Sequence, residues 1–235
     1  MANIITRNIP NTITCCNLIS GCIAVSYAYA GQQTMALAFI ILGAVFDFFD
    51  GMSARLLHVS SPIGKELDSL ADVVTFGVAP ATMVATLLWT MHYPSPMESL
   101  RRWLPYSAFL IAAFSALRLA KFNLDERQTS SFIGLPTPAN ALFWGSLIVG
   151  GGTRIEQMEY ALPAILALIV LSCWLLIAEI PMFALKFKQW GWRGNEVKYV
   201  FLLTCIPLLF FFRISAFAVI IAWYVILSGW VNRKA

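Results

Sequence analysis

Four aspartates stand at the facing ends of two neighbouring apolar segments. They are Asp47, Asp50, Asp68 and Asp72. On a helix that turns by about 100° per residue, Asp47 and Asp50 point to one side, and Asp68 and Asp72 form a second stripe with Gly64. A carboxylate in or near hydrocarbon is costly unless a cation or a hydrogen-bond donor compensates it. Four of them together therefore indicate bound cations and a chemical function.

Oxygen-only ligands favour hard divalent ions, and two such ions would balance four carboxylates. Mg²⁺ or Mn²⁺ is expected, with Ca²⁺ as a third option. Two ions about 3.5–4 Å apart suit in-line attack at a phosphorus atom. Gly51, Ala54 and Gly64 would leave room for a phosphate beside the backbone, and Arg55 could bind its oxygens with two N–H groups. The aspartates thus predict metal-assisted chemistry at phosphorus.

The composition identifies the kind of protein that must position these residues. The chain has 235 residues, of which 59% are hydrophobic and 12% charged, and its mean hydropathy is +0.74. A soluble domain has about 25% charged residues, so the composition predicts an integral membrane protein. The net charge of +4 is modest and does not indicate nucleic-acid binding.

Eight apolar segments follow one another along the chain. They cover residues 11–30, 34–57, 64–91, 103–124, 137–152, 159–186, 197–212 and 214–231. The fifth segment is short and the last two are tightly joined, so seven or nine crossings stay open. We predict an all-α, polytopic transmembrane bundle of about eight helices in a single domain, residues 1–235. Glycines at 31 and at 150–152 indicate turns between segments.

Basic residues predict the orientation in the membrane. With the N-terminus in the cytosol, twelve of the sixteen Lys and Arg residues fall on the cytosolic side, and Arg101, Arg102, Arg154 and Arg213 do not. This imbalance predicts cytosolic termini and a cytosolic link between the two acidic segments in the cell (inner) membrane. At 1.5 Å per residue the aspartates lie about 6–15 Å below the cytosolic helix ends. All four are therefore expected to face one cavity that opens to the cytosol.

The acidic segment resembles a known family signature. It reads D-x-x-D-G-x-x-A-R, eight residues, then G-x-x-x-D-x-x-x-D, across residues 47–72. This pattern is similar to that of the CDP-alcohol phosphotransferases, membrane enzymes that move a phosphatidyl or similar group from a CDP-linked donor to an alcohol and release CMP. The resemblance implies that Asp47, Asp50 and Asp68 are metal ligands. Asp72 would be a further ligand, the general base, or both. The nucleotide and diphosphate pocket would be lined by Gly51, Ala54, Arg55 and Gly64.

Motifs outside the signature narrow the resemblance. They are Pro10-Asn11-x-x-Thr14-x-x-Asn17-x-x-x-Gly21 and the segments 76–80, 118–123 and 132–139. Over nearly the first 140 residues they resemble the membrane-embedded bacterial and archaeal phosphatidylserine synthases. This implies CDP-diacylglycerol as donor, L-serine as acceptor and a homodimer among membrane lipids. The segments 159–231 would then be peripheral to the site. Two positions depart from the pattern, Lys121 where Arg is expected and Asn140 where Ala is expected.

Two groups of polar residues are candidates for substrate contacts. Arg118 or Lys121 could pair with the serine carboxylate, with Asn123 adding a hydrogen bond, although cytosolic charges also serve only to orient a membrane protein. The first helix would present a second group on one face, toward the cytidine or its phosphates. That group consists of Asn11, Thr14 and Asn17, of which Asn11 could instead cap the helix.

Two alternatives to serine transfer stay open. The same chemistry could serve another acceptor, such as glycerol 3-phosphate or inositol, but a phosphorylated acceptor needs more cations than Arg118 and Lys121 supply. The aspartates could also form the transport site of a cation transporter. That function needs a polar path to the outer face, and the outer halves of the second to fourth segments show no polar stripe in the sequence.

Overall fold

The computed structural model describes residues 4–59, 61–125, 132–183, 191–192 and 195–232. Its α-helices are α1 (Ile4–Tyr29), α2 (Gln33–Leu56), α3 (Pro62–Asp72), α4 (Ala79–Thr90), α5 (Leu110–Leu124), α6 (Thr137–Gln157), α7 (Ala161–Ile177), α8 (Glu196–Phe212) and α9 (Ala216–Asn232). A π-helical segment, Val73–Val78, joins α3 to α4 in one continuous rod. The described helices thus form eight rods, which confirms the prediction of an all-α bundle of about eight helices.

Five stretches of the described chain are long and apolar enough to cross a membrane. They are Asn8–Tyr29, Gln33–Leu56, Pro62–Thr90, Leu104–Leu124 and Glu196–Val231, and the shorter apolar helix Ala161–Ile177 accompanies them. Within the last stretch the helix is interrupted at Arg213, whose φ is 49°, and the chain turns there from α8 into α9. Trp223 Nε1 donates a hydrogen bond to Thr204 Oγ1 across that break at 3.0 Å, so α8 and α9 pack side by side. The protein is a membrane protein.

The interior of the bundle is mostly apolar between its two ends, although Asn140, Ser146 and Ser172 are also buried there. Ile40 on α2, Val84 on α4 and Trp144 on α6 are completely buried in one continuous core. Gly145 lets α6 approach α2 closely, because a Cβ there would lie 2.7 Å from the Leu37 side chain. Burial of this kind specifies how the helices pack, since each side chain must fill the space left by its neighbours.

The π-helical segment begins directly after Asp72. Pro80 cannot donate to the helix ladder, and its ring would crowd the carbonyl four residues earlier. The backbone widens there, and the N–H of Ala79 donates to the carbonyl oxygen of Val74, five residues back. Gly77 packs against α5, where an added Cβ would lie 3.2 Å from Ser115 Cβ. The segment thus allows Asp72 and the residues after it to face different neighbours than a regular α-helix would.

Two predicted boundaries are wrong. The glycines at 150–152 lie inside α6 rather than in a turn. A Cβ on Gly150 would lie 1.9 Å from Ser215 Oγ, so this glycine permits close packing against the α8–α9 turn. The sixth segment ends at Ile177, not near 186, because the backbone is extended from Ala178 and pairs Pro181–Met182 with Phe132–Ile133. Gly31, with a φ of 75°, does form the predicted turn between α1 and α2.

Candidate active site

Three of the four aspartates converge between α2 and α3. Asp47, Asp50 and Asp68 each offer a carboxylate oxygen, and these oxygens lie within 4.8 Å of one another. Asp68 Oδ1 is buried and has no hydrogen-bond partner among the described residues. A buried carboxylate oxygen without a donor fits contact with a cation, and a set made only of oxygens suits a hard divalent ion. The residues present therefore fit a divalent metal site.

Asp72 occupies a separate position deeper along the same rod. It is buried, and its Oδ1 accepts a hydrogen bond from Asn17 Nδ2 at 3.2 Å. Among the described residues it does not join the group of three carboxylates, although it interacts electrostatically with Asp47 and Asp68. The structure therefore orients Asp72 through α1, while the other three face one another.

Thr14 connects α1 to the acidic group. Its hydroxyl lies 2.6 Å from Asp50 Oδ2 and 3.0 Å from the carbonyl oxygen of Pro10. A hydroxyl at 2.6 Å from a carboxylate is a short, charge-assisted hydrogen bond. Thr14 and Asn17 were predicted to contact the nucleotide, and their observed partners are aspartates instead. The nucleotide contacts stay predictions.

Removing the Thr14 hydroxyl should weaken metal binding. Groups that hold a metal ligand by a hydrogen bond typically change metal affinity by about 10- to 100-fold when they are removed. For Thr14→Val we expect the Mn²⁺ concentration that half-activates the enzyme to rise by about tenfold or more. Thr12→Val is the matched control, because Thr12 lies on the same helix and its hydroxyl donates only to the backbone of Asn8. An equal shift in both variants would contradict this role for Thr14.

Thr75 supports this arrangement and was not predicted as a site residue. Its hydroxyl donates to the carbonyl oxygen of Asn17 at 3.0 Å, so it holds the residue that contacts Asp72. Two glycines make room for it: a Cβ on Gly21 would lie 2.3 Å from Thr75 Oγ1, and one on Gly43 would lie 2.5 Å from Thr75 Cγ2. Glycines in α1 and α2 signal close packing in a sequence, but they do not reveal which side chain fills the space.

A cavity of about 210 Å³ lies between α1, α2 and α3, beside the carboxylates. It brings together Asp50 and Asp68 with five residues predicted for the nucleotide pocket, Asn11, Thr14, Gly51, Ala54 and Gly64. Lys65 and Ser61 also line it, and neither was predicted as a site residue. Arg55 does not line it, because its Nε donates to the carbonyl oxygen of Gly51 at 2.9 Å along the exposed side of α2.

The two signature glycines have different surroundings. A Cβ on Gly64 would lie 2.9 Å from Asn11 Oδ1, so this glycine lets α1 and α3 approach closely. At Gly51 a Cβ would meet only Arg55 Nη2, at 3.9 Å, which leaves open space beside the cavity. Ser61 caps α3 by accepting the N–H of Gly64 at 3.1 Å, and Pro62 follows it. The third helix therefore begins two residues before the predicted start at residue 64, because Ser61 caps it and proline is favoured in the first turn.

Two residues of the predicted serine pocket lie together. Arg118 is 7% exposed, and its Nε has no hydrogen-bond partner among the described residues. With Lys121 and Glu179 it lines a cavity of about 50 Å³ between α5 and the end of α7. Asn123 does not line this cavity, because its Nδ2 donates to Ser69 Oγ on α3 at 2.8 Å. The predicted contact of Asn123 with serine stays a prediction.

Comparison with known proteins identifies the family. Residues 7–231 match the family model for CDP-alcohol phosphatidyltransferase. The chain belongs to the CDP-alcohol phosphatidyltransferase family. The family uses a divalent metal, and the three carboxylates supply a site that fits one. In this CDP-alcohol phosphatidyltransferase the signature residues lie on α2 and α3, the two neighbouring segments that the sequence predicted, and α1 contributes the hydrogen bonds that orient two of the aspartates.

Three relatives of this CDP-alcohol phosphatidyltransferase carry the name CDP-diacylglycerol–serine O-phosphatidyltransferase. The protein of Bacillus subtilis is 40% identical over 130 residues, which cover 55% of this chain and 69% of the relative. That of Helicobacter pylori is 38% identical over 135 residues, covering 57% and 54%. The relative in Methanocaldococcus jannaschii is 34% identical over 162 residues, covering 69% and 68%. The chain thus spans about two thirds of two relatives and about half of the other.

Proposed function

We propose that the protein transfers the phosphatidyl group of CDP-diacylglycerol to the hydroxyl of L-serine, producing phosphatidylserine and CMP. The observation that carries this proposal is the convergence of Asp47, Asp50 and Asp68 beside a cavity lined by signature residues. Membership of the family supports the reaction type, and the names of the relatives support the donor and the acceptor.

In the proposed reaction the serine oxygen attacks the phosphorus that carries the diacylglycerol. A new P–O bond forms to serine, the bond to the bridging oxygen of the diphosphate breaks, and CMP leaves. Asp47, Asp50 and Asp68 would hold the divalent ions, for which we propose two Mg²⁺ or Mn²⁺. Bound ions of this kind stabilise the negative charge that develops on phosphate oxygens and on the leaving group. Asp72, which Asn17 orients, takes the proton from the serine hydroxyl.

The nucleotide end of the donor occupies the cavity between α1, α2 and α3. Open space beside Gly51 allows a phosphate to approach the backbone of α2. Lys65 adds a positive charge at the cavity wall, and its Nζ donates to the carbonyl oxygen of Asn123 at 2.8 Å. The same contact ties α3 to α5, the helix that carries Arg118.

Arg118 is proposed to bind the serine carboxylate. A buried guanidinium nitrogen without an acceptor needs a partner, and a carboxylate is the partner whose geometry suits it best. The cavity of about 50 Å³ has room for little more than a carboxylate group, since one water molecule takes about 30 Å³ in the liquid.

Arg118→Gln should raise the KM for L-serine by about tenfold or more, the usual scale for a lost hydrogen bond to a charged group. The KM for CDP-diacylglycerol should stay within about twofold. Serinol, which replaces the carboxylate of serine by a hydroxymethyl group, should be a poor acceptor for the unmodified protein and a relatively better one for the variant. Arg154→Gln, at the opposite end of the bundle, is the control. An unchanged ratio of serine to serinol use in Arg118→Gln would contradict the assignment.

The proposed function is tested by CMP release from CDP-diacylglycerol with purified protein in a lipid nanodisc. We expect release that depends on both L-serine and Mn²⁺ or Mg²⁺. Release of CMP with glycerol 3-phosphate or myo-inositol but not with serine would show that the reaction type is right and that the proposed acceptor, serine, is wrong. Absence of CMP release with all three acceptors would overturn the proposal.

We propose that the active site faces the cytosol, with both termini on that side of the cell membrane, and that the protein is a homodimer, as the family resemblance implies. Residues 159–231 were predicted to be peripheral to the site. The end of α7 lines the cavity that we assign to the serine carboxylate, so we propose the peripheral position for α8 and α9 alone. A transport path through the bundle has less support. Ile40, Val84 and Trp144 are completely buried between the aspartates and the opposite end of the helices, and the polar group of Trp144 is occupied by a hydrogen bond to Ser172 Oγ.

A further inference from the structure

The cavity between α1, α2 and α3 is not lined by the arginine that the family resemblance implies. Arg55 lies on the exposed side of α2, where its Nε donates to the carbonyl oxygen of Gly51 at 2.9 Å. Among the described residues that line the cavity, Lys65 is the basic one, and Asp50 and Asp68 are the acidic ones. A diphosphate in this cavity needs a cation besides the metal ions, and Lys65 is placed to supply it.

The ammonium group of Lys65 has donors to offer an anion. An ammonium carries three N–H groups, and Lys65 Nζ uses one of them for the carbonyl oxygen of Asn123, at 2.8 Å. Within the described part of the chain no carboxylate lies within 4.0 Å of this ammonium, so no ion pair holds its other N–H groups. A phosphate oxygen is an acceptor that suits them.

Three hydrogen bonds hold the Lys65 ammonium at the end of α5. Asn123 lies in the last turn of α5, where the carbonyl oxygens lack partners within the helix and carry partial negative charge. Its side chain fixes the position of that carbonyl, because Asn123 Nδ2 donates to Ser69 Oγ at 2.8 Å. Ser69 Oγ in turn donates to the carbonyl oxygen of Lys65 at 3.2 Å. These three residues form a closed connection between α3 and α5, here called the α3–α5 link.

We propose that Lys65 binds the diphosphate of the donor and that Ser69 and Asn123 position its ammonium group. The inference rests on the proposed function, because it assigns a residue to the donor cavity. Neither Ser69 nor Asn123 lines that cavity, so both act on the donor through Lys65. A lysine that the α3–α5 link already holds loses less side-chain freedom when the donor binds, which favours binding.

The first test compares two soluble ligands, CDP and cytidine, which share the base and the ribose but differ in the diphosphate. We expect the Lys65→Gln variant, in lipid nanodiscs with Mn²⁺, to bind CDP about tenfold more weakly than the unmodified protein does, the usual scale for a lost hydrogen bond to a charged group. Its affinity for cytidine should change by less than about twofold, because cytidine has no group for the ammonium.

Lys198→Gln is the matched control for Lys65→Gln. Lys198 lies on α8 near the predicted cytosolic surface, and its Nζ donates to Asn195 Oδ1 at 3.1 Å. The change removes one positive charge, as Lys65→Gln does, and should leave the affinities for CDP and cytidine unchanged. Unchanged CDP binding in Lys65→Gln, or an equal loss of CDP binding in Lys198→Gln, would overturn the assignment.

The second test asks whether Ser69 acts through Lys65. Ser69→Ala should raise the KM for CDP-diacylglycerol by about threefold, the scale of a lost neutral hydrogen bond, and Ser69→Thr, which keeps the hydroxyl, should restore it. The KM for L-serine should stay unchanged. In a Lys65→Gln background Ser69→Ala should have no further effect, since a residue that acts only through another is not additive with it. Additive effects, or a raised KM for serine instead, would overturn the positioning role.

The two tests also separate this inference from the proposed function. CDP binding that depends on Lys65, in a protein that releases no CMP with any of the three acceptors, would overturn the reaction and support the assignment of Lys65. Normal CMP release by the unmodified protein, together with CDP binding that does not depend on Lys65, would support the reaction and overturn the assignment.

Discussion

Asp68→Asn is expected to lower the rate of CMP release at least about a thousandfold, and Asp47→Asn should do the same. Each change removes one of three carboxylates whose oxygens lie within 4.8 Å of one another. A metal that stabilises charge on phosphate is worth several kcal/mol to the transition state, and about 1.4 kcal/mol corresponds to a factor of ten in rate. The measurement is the turnover of CDP-diacylglycerol with saturating serine and Mn²⁺.

Glu66→Gln is the matched control for Asp68→Asn. Glu66 lies two residues earlier on α3, is exposed and does not line the cavity beside the aspartates. The Glu66→Gln variant should therefore turn over CDP-diacylglycerol at close to the normal rate. All three variants should elute as the unmodified protein does in detergent, which separates loss of chemistry from loss of fold. Normal turnover by the Asp68→Asn variant would contradict the assignment of Asp47, Asp50 and Asp68 as the metal site.

Asp72→Asn is expected to lower kcat by about 10²- to 10⁴-fold, the usual contribution of a positioned general base. If Asp72 acts as the base alone, the metal dependence of this variant should change little, because Asp72 accepts its hydrogen bond from Asn17 and the other three carboxylates form the metal site. The KM for CDP-diacylglycerol should also change little. Kinetics over a range of Mn²⁺ concentrations measures both effects at once.

The same experiment decides between the two roles that the family resemblance leaves open for Asp72. A metal ligand would shift the Mn²⁺ requirement together with the rate, whereas a base would shift the rate alone. Asn17→Ala should reproduce part of the loss in kcat, since it removes the hydrogen bond that orients Asp72. If Asp72→Asn raises the Mn²⁺ requirement as strongly as Thr14→Val does, the assignment as a base separate from the metal site is wrong.

Much of the fold was predictable because membrane helices are specified by local properties. A run of about 20 apolar residues must form a helix in hydrocarbon, where every backbone N–H and C=O needs a partner within the segment. The eight predicted segments accordingly match the eight rods, and Gly31 marks a turn as expected. The glycines at 150–152 were misread because glycine marks both turns and close helix contacts, and the sequence does not say which.

The candidate site was predictable for a similar reason. Carboxylates inside apolar segments are rare enough that their presence and spacing alone indicate cations, and the signature on α2 and α3 supplied the order of the residues. All four aspartates were predicted to face one cavity. Asp47, Asp50 and Asp68 do converge, but Asp50 and Asp68 line the cavity between α1, α2 and α3 whereas Asp47 and Asp72 do not. The sequence did not reveal the partner of each polar group. Thr14 and Asn17 have the same pattern whether they contact a nucleotide or hold an aspartate. Packing against α2 and α3 revealed their hydrogen bonds to Asp50 and Asp72, while their contacts with a nucleotide stay a prediction.

By itself, then, the amino-acid sequence determined that the protein is a helical membrane protein of a recognisable family and which aspartates could bind metal, because hydropathy and helical spacing are local properties. Tertiary structure alone decided that Asn17 orients Asp72 and that Thr75 fits between Gly21 and Gly43. These features depend on distances between residues far apart in the chain, and such distances are set by how the helices pack.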